Sequence, residues 1–235
     1  MIKEKILITG ADGGIGLALI QNYLEFGVDK IYATGLNFEK LQEIQKLAPH
    51  VIEPIKLDIT SDEDVINCAN IANDVTLLIN NAGIELKKSF VDENSEVFAR
   101  KEMEVNYFGM IKMINAFLPI IKKSEEGKIV NVLSLASLAI VNRIATYCAT
   151  KFACHALTES LRESLKNENI LVCGVYMGYV DTKMVPEKII YEKAEPLEVA
   201  KNIIESIERK TIHIYPDKMA IEFSRENKIS TKFYE

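Results

Sequence analysis

The stretch "KILITGADGGIG", Lys5 to Gly16, decides how the rest of the chain is read. It opens with a short apolar run, Lys5 to Thr9, of the length and β-branched content of a buried strand. It then turns through Gly10, Gly14 and Gly16 into an amphipathic segment that predicts a helix over about residues 15 to 27. Glycines are required where a backbone takes unusual dihedrals and comes close to a pyrophosphate, with the free N–H groups of a helix N-terminus facing the anion. The spacing is GxxxGxG rather than GxGxxG, and a tight loop is the plainer alternative. Its place between a first strand and a first helix favours a dinucleotide turn.

Outward from this unit the same alternation continues. Apolar runs predict strands near 30 to 34, 52 to 57, 75 to 80, 127 to 134, 170 to 176 and 211 to 215. Helical periodicity falls between them, at about 38 to 47, 61 to 72, 94 to 122, 147 to 167 and 197 to 209. Strands that alternate with helices make a parallel sheet covered on both faces, here α/β and doubly wound with seven strands. No repeat or Pro/Gly/Ser linker interrupts the pattern, so residues 1–235 are expected to form a single domain. The segment 94 to 122 carries apolar residues, among them Val97, Phe98, Val105, Phe108, Ile114 and Phe117, on more than one face. One face would cover the sheet. The other would meet a second subunit, giving a homodimer or homotetramer, unless the helix is buried within its own chain.

Composition narrows the function. With 26% charged residues, a net charge of -6 and scattered Lys and Arg, the chain has no basic stripe for nucleic acid. Cys68, Cys148, Cys154 and Cys173 form no CxxC pair, and His50, His155 and His213 have no ligand spacing, so neither a metal site nor disulfides are expected. No run approaches 18 apolar residues, which predicts a soluble, cytoplasmic protein without a membrane association. At the end of the second strand, "ATGLNFEK" offers neither an acid for a ribose 2'-hydroxyl nor an arginine for a 2'-phosphate at Gly35 and Leu36. Asp12, inside the glycine turn, is a candidate for the hydroxyl, and Lys40 a more distant one for a phosphate. NAD(H) and NADP(H) both stay open.

Two Tyr/Lys pairs share one spacing: Tyr147 with Lys151 in "YCATK", and Tyr179 with Lys183 in "YVDTK". In a chain with nine Tyr such a pair arises by chance roughly once, so spacing alone selects neither. The surroundings select the first. Ser134 ends the fifth predicted strand thirteen residues before Tyr147, and Tyr147 and Lys151 stand at i and i+4 on one helix. Tyr179 and Lys183 fall in a loop, which reads as a chance pair.

In order and separation, "TGADGGIG", Asp58 in "KLDIT", "NNAG" at Asn80 to Gly83, Asn106 in "VNYFG", Ser134 in "IVNVLS" and "YCATK" resemble the motifs of the short-chain dehydrogenase/reductase family. The resemblance covers nearly the whole chain to about residue 215. It implies a Rossmann-like three-layer α/β/α sandwich and a NAD(P)(H)-dependent oxidoreductase that passes hydride between nicotinamide and a carbonyl or secondary alcohol. It makes Asn106, Ser134, Tyr147 and Lys151 the catalytic set, with Asn106 supporting a water chain to Lys151. The cofactor-binding residues expected from it and from the turn are Gly10, Asp12, Gly14, Ile15, Gly16, Asp58, Ile59, Asn81, Ala82, Gly83, Tyr147, Lys151, Gly178, Val180 and Thr182. A phenol with a pKa near 10 is a poor base at neutral pH, and the Lys151 ammonium, with the positive charge of an oxidised nicotinamide, is expected to lower that value.

One position departs from the family's pattern: Met177 stands in "VYMGYVDT" where a proline is usual, which removes a fixed φ from the loop after the sixth strand. Leu135, Ala136, Ile140, Val141 and Ile144, with Asn142 and Arg143 as polar members, suggest an apolar substrate pocket. A non-catalytic dinucleotide sensor or scaffold of the same fold is the alternative function, disfavoured because Ser134, Tyr147 and Lys151 are all present. An epimerase or dehydratase of the family's longer branch would need a larger C-terminal region. A phosphoryl-transfer enzyme would need GxxxxGK[ST], which does not occur.

Overall fold

The computed structural model describes residues 4–185 and 187–227. The seven strands are β1 (Lys5–Ile8), β2 (Lys30–Gly35), β3 (Ile52–Lys56), β4 (Leu77–Asn80), β5 (Gly127–Val132), β6 (Ile170–Val175) and β7 (His213–Ile214). They form one sheet in the order β3-β2-β1-β4-β5-β6-β7, every neighbouring pair parallel. The predicted strands are all present; six are shortened where the chain leaves the hydrogen-bonded ladder, and β2 runs one residue further, to Gly35.

Helices α1 (Gly14–Phe26), α2 (Phe38–Gln45) and α7 (Pro196–Glu208) cover one face; α3 (Asp62–Ile71), α4 (Ser95–Met103), α5 (Met110–Ile121) and α6 (Ala145–Ser164) lie on the other. The period-2 alternation of a strand divides the side chains between these layers. Ile6 and Ile8 of β1, Leu77 and Ile79 of β4, and Val130 and Val132 of β5 pack with Leu19, Tyr23, Ile203 and Ile207. Leu7, Leu78 and Ile129 point the other way, against Met113, Phe117 and Cys154. Burial on both faces is why the strands read as continuous apolar runs.

The segment predicted as one helix over 94 to 122 is continuous but not uniform. Six residues, Glu104–Gly109, are π-helical between α4 and α5. A widened turn displaces the apolar stripe, which explains why one segment shows more than one apolar face. Met113, Ile114, Phe117 and Ile121 are buried against the sheet, whereas Val97 is 64% and Phe108 45% exposed.

Beyond the predicted elements, α8 (Lys218–Glu226) follows β7; residues 228–235 of the tail lie outside the described residues. Between β1 and its neighbours β2 and β4 the chain reverses its direction of travel across the sheet. That switch point opens a crevice at the carboxyl ends of the strands.

Candidate active site

A cleft of about 2140 Å³ lies along those strand ends. Its floor on the β1 side is the glycine turn. Gly10 has φ +63°, a left-handed conformation, and a Cβ there would come 3.0 Å from Ala82 Cα. A Cβ at Gly16 would lie 2.3 Å from the Gly10 carbonyl oxygen, so the helix can start this close to the turn only without a side chain. Helix α1 has no side-chain cap and no acidic residue in its first turn, which leaves its N–H groups open to an anion. This cradle, closed to side chains at Gly10 and Gly16 and also at Gly14, where a Cβ would come 2.6 Å from Thr182 Cγ2, leaves its backbone N–H groups bare and fits a dinucleotide's pyrophosphate.

The turn is locked to β4. The Thr9 hydroxyl accepts the N–H groups of Asn81 and Ala82, both at 2.9 Å, and Asn81 Nδ2 donates to the carbonyl oxygens of Thr9 at 2.8 Å and Gly10 at 3.1 Å. Gly10, Asp12, Gly14, Ile15, Asp58, Ile59, Asn81, Ala82, Gly83, Gly178, Val180 and Thr182 all line the cleft. Gly16 sits behind the turn and acts through its packing. Asp58 is held by Thr60, whose N–H and hydroxyl donate to its Oδ1 at 2.9 and 2.7 Å.

On the other side of the switch point, β5 leads to Ser134. Its backbone is extended, and its hydroxyl oxygen caps a short 3-10 turn, Leu135–Ser137, by accepting the Ala136 N–H at 3.1 Å. The hydroxyl proton has a long contact, 3.5 Å to the Met177 carbonyl oxygen, and is also within reach of the Tyr147 phenol, so it faces the cleft. A second 3-10 turn, Asn142–Ile144, leads into α6, where Tyr147 and Lys151 fall one turn apart and are both buried. Lys151 Nζ donates to the Val132 carbonyl oxygen at 2.9 Å and lies 5.6 Å from the centre of the Tyr147 ring. Ser134, Tyr147 and Lys151 thus meet on one wall of the cleft.

Asn106 lies behind that wall, in the π-helical segment. Its Oδ1 accepts the Ile84 N–H at 2.8 Å, and its Nδ2 donates to the Ile84 carbonyl oxygen at 2.9 Å and to Thr150 Oγ1 at 3.0 Å. The π turn therefore aims this amide at the chain following "NNAG".

Burial, and then the negative charge of Glu85, raise the Tyr147 pKa above 10; the Ser134 hydroxyl offsets part of this. Burial also lowers the pKa of Lys151. The phenol of Tyr147 is therefore protonated at neutral pH, in the form that donates a proton.

The substrate end differs in part from the sequence reading. Leu135, Ala136, Val141, Arg143 and Ile144 line the cleft, but Ile140 points outward at 63% exposure. Residues the sequence did not single out complete it: Glu85, Met184 and Tyr191, with Met219 and Phe223 of α8. Tyr179, read as a chance partner of Lys183, also lines the cleft. Its ring stacks on Tyr191 with centroids 5.4 Å apart, and its hydroxyl accepts from Arg143 at 2.9 Å. The loop that lacks the proline is fixed another way: Leu135 N–H donates to the Met177 carbonyl oxygen at 2.9 Å, and Gly178 N–H to Asp217 Oδ2 at 2.8 Å.

Residues 4–192 match the family model for short chain dehydrogenases. The chain belongs to the short chain dehydrogenase family. An uncharacterised oxidoreductase of Staphylococcus saprophyticus is 33% identical over 191 residues, 78% of this chain and 77% of that protein. Among solved structures, a short chain dehydrogenase from Burkholderia cenocepacia in complex with NADP is similar at TM-score 0.88 and 32% identity, covering 97% of this chain and 94% of that one. A short chain dehydrogenase/reductase from Burkholderia phymatum in complex with NAD shares the fold at TM-score 0.83 and 22% identity, covering 95% and 92%. The four cysteines are free and buried, and no cluster of metal-ligating side chains occurs among the described residues. No described helix is long and apolar enough to cross a membrane.

Proposed function

We propose that this protein is a NAD(P)(H)-dependent oxidoreductase acting on a small, largely apolar carbonyl compound or secondary alcohol, with Ser134, Tyr147 and Lys151 as its catalytic groups. The observation that carries the reading is the meeting of these three side chains on a wall of the same cleft whose floor is the glycine turn. Gly10, Gly14 and Ile15 at the turn, Asp58 and Ile59 beyond β3, Asn81 to Gly83 after β4, and Gly178, Val180 and Thr182 after β6 would hold the dinucleotide. When bound, its nicotinamide supplies or accepts the hydride.

Each protein group has a defined task. Ser134 donates a hydrogen bond to the substrate oxygen as negative charge grows there and keeps its proton. Tyr147, kept protonated by burial and Glu85, transfers its proton to the same oxygen during carbonyl reduction, and its phenolate takes it back in oxidation. Lys151, anchored on Val132, places an ammonium beside the phenol, and Asn106 fixes the loop at Ile84 next to it. Leu135, Val141, Ile144, Met184 and Tyr191 keep the pocket apolar, with Arg143 and Glu85 as its charged groups. The exposure of Val97 and Phe108 supports the homo-oligomer, with all of the activity within one domain of each subunit.

The test is a screen of carbonyls and alcohols at the reduced-nicotinamide absorbance with both cofactors, followed by Tyr147→Phe. That variant should lose about 10²- to 10⁴-fold in kcat, with cofactor affinity unchanged. Full turnover by Tyr147→Phe would refute the mechanism. Binding without turnover on any substrate would favour the sensor.

A further inference from the structure

The end of β2 lacks the side chain that would read the adenosine ribose, and another element fills its place. A Cβ at Gly35, the last residue of β2, would come 2.3 Å from Oδ1 of Asp12 and 2.8 Å from its Cγ. The carboxylate of the glycine turn therefore stands directly over the strand end, where a side chain at Gly35 would otherwise project. It is fixed there. Asn37 N–H donates to Asp12 Oδ2 at 3.1 Å, Ala11 N–H ties the turn to the Thr34 carbonyl oxygen at 2.8 Å, and the Lys40 ammonium hydrogen-bonds the main-chain oxygen of Asp12. Oδ1 accepts no hydrogen bond from the described residues, and Asp12 lines the cleft together with Gly35, Leu36 and Lys40.

We infer that Asp12 selects the cofactor: its free Oδ1 takes the adenosine-ribose hydroxyls, and the chain prefers NAD(H) to NADP(H). The inference rests on the oxidoreductase reading above and adds to it the form of the dinucleotide. A vicinal diol offers donors to a carboxylate oxygen that has none. A 2'-phosphate brings like charge against a carboxylate whose position is set by the backbone at Asn37, and Lys40 already holds the oxygen next to it. The lysine ammonium, which spends one of its three donors on that oxygen, would offset only part of the repulsion, and the carboxylate would still face the phosphate. The Burkholderia cenocepacia relative is in complex with NADP, so a preference for NAD(H) would set this chain apart from that protein.

The chain has no Trp, so binding is followed by the fluorescence of the reduced nicotinamide or by calorimetry. NADH should bind the unaltered protein at least about tenfold more tightly than NADPH. Asp12→Asn, which keeps the shape and an acceptor for Asn37 N–H, should bring the ratio below about threefold, chiefly by improving NADPH. Lys40→Met should leave the NADH preference in place. Equal or tighter binding of NADPH by the unaltered protein, or an unchanged ratio in Asp12→Asn, would overturn the inference. A clear NADH preference without turnover on any substrate would refute the catalytic reading and leave this one standing; binding of neither dinucleotide would refute both.

Discussion

Glu159→Gln removes a charge from the far half of α6 without touching the cleft, and its cost can be worked from the carboxylate's surroundings. Glu159 Oε1 accepts from His213 Nε2 at 2.9 Å and lies 3.5 Å from the Tyr176 hydroxyl, while Oε2 pairs with Arg162. The side chain is only 15% exposed, so solvent screens these contacts weakly. Burial pushes the carboxyl pKa up, but the hydrogen bonds and charges of His213 and Arg162 more than reverse this and hold it at about 2, against 4.5 for a free side chain. A carboxylate depressed by that much in the folded state contributes roughly 3 kcal/mol at neutral pH. Its sign follows from the direction: the contribution is complete above the unfolded value of 4.5 and is lost as pH falls from there through about 2. Near pH 3 roughly 1.5 kcal/mol should remain. Urea unfolding of the two proteins, followed by far-UV circular dichroism, should show that gap at neutral pH and see it shrink by about half near pH 3. Glu159 is some three turns, about 18 Å, along α6 from Tyr147, so kcat of the folded variant should stay within about twofold. Equal stability at neutral pH, or a gap that does not respond to acid, would refute the reasoning.

Two further substitutions probe groups that only the structure brought to the site. Glu85→Gln removes the charge that, after burial, does most to raise the Tyr147 pKa; the rise in kcat/KM for alcohol oxidation, which needs the phenolate, should move to lower pH, and an unmoved profile would show that Glu85 does not act on the phenol. Asp217→Ala releases both Gly178 N–H and the Ala220 N–H that Asp217 Oδ1 caps at 2.9 Å, so it should cost about 1 kcal/mol in unfolding and weaken cofactor binding several-fold, while Asp217→Asn restores most of each; thermal denaturation and NADH titration read the two effects separately.

The sheet was legible because its strands are buried on both faces, so that runs such as "KILI" and "LLIN" stand out from the periodic segments between them. The π-helical Glu104–Gly109 was not, since a single widened turn alters the apolar period too little to separate from a helix with two buried sides. Helix α8 was missed for a different reason. It is only nine residues long and buries only Ala220, while Met219 and Phe223 of its apolar face border the cleft and the Asp217 cap holds its start, so the stripe in "KMAIEFSRE" is too short to stand out in a charged tail.

At the site, residues whose role follows from the chain around them could be placed from the sequence, and residues whose role follows from the fold could not. Ser134 at a strand end and Tyr147 and Lys151 on one helix face belong to the first kind. Glu85, two residues past "NNAG", belongs to the second, because its charge matters only once the loop returns beside Tyr147. Asp12 and Tyr179 are intermediate: both were visible as side chains, but nothing local says that one lies over Gly35 or that the other meets Arg143 and Tyr191. The two Tyr/Lys pairs show where the distinction falls. Lys151 reaches the Val132 carbonyl oxygen at 2.9 Å, two residues before Ser134, so a single strand end sets the positions of the ammonium and the serine, and the first turns of α6 add the phenol. The Tyr179 hydroxyl is bound to Arg143 across the cleft instead. Equal spacing in the sequence therefore yields a buried pair, the one proposed to transfer the proton, only where a helix and a strand end hold both members, and a stretch of the cleft wall where a loop carries them.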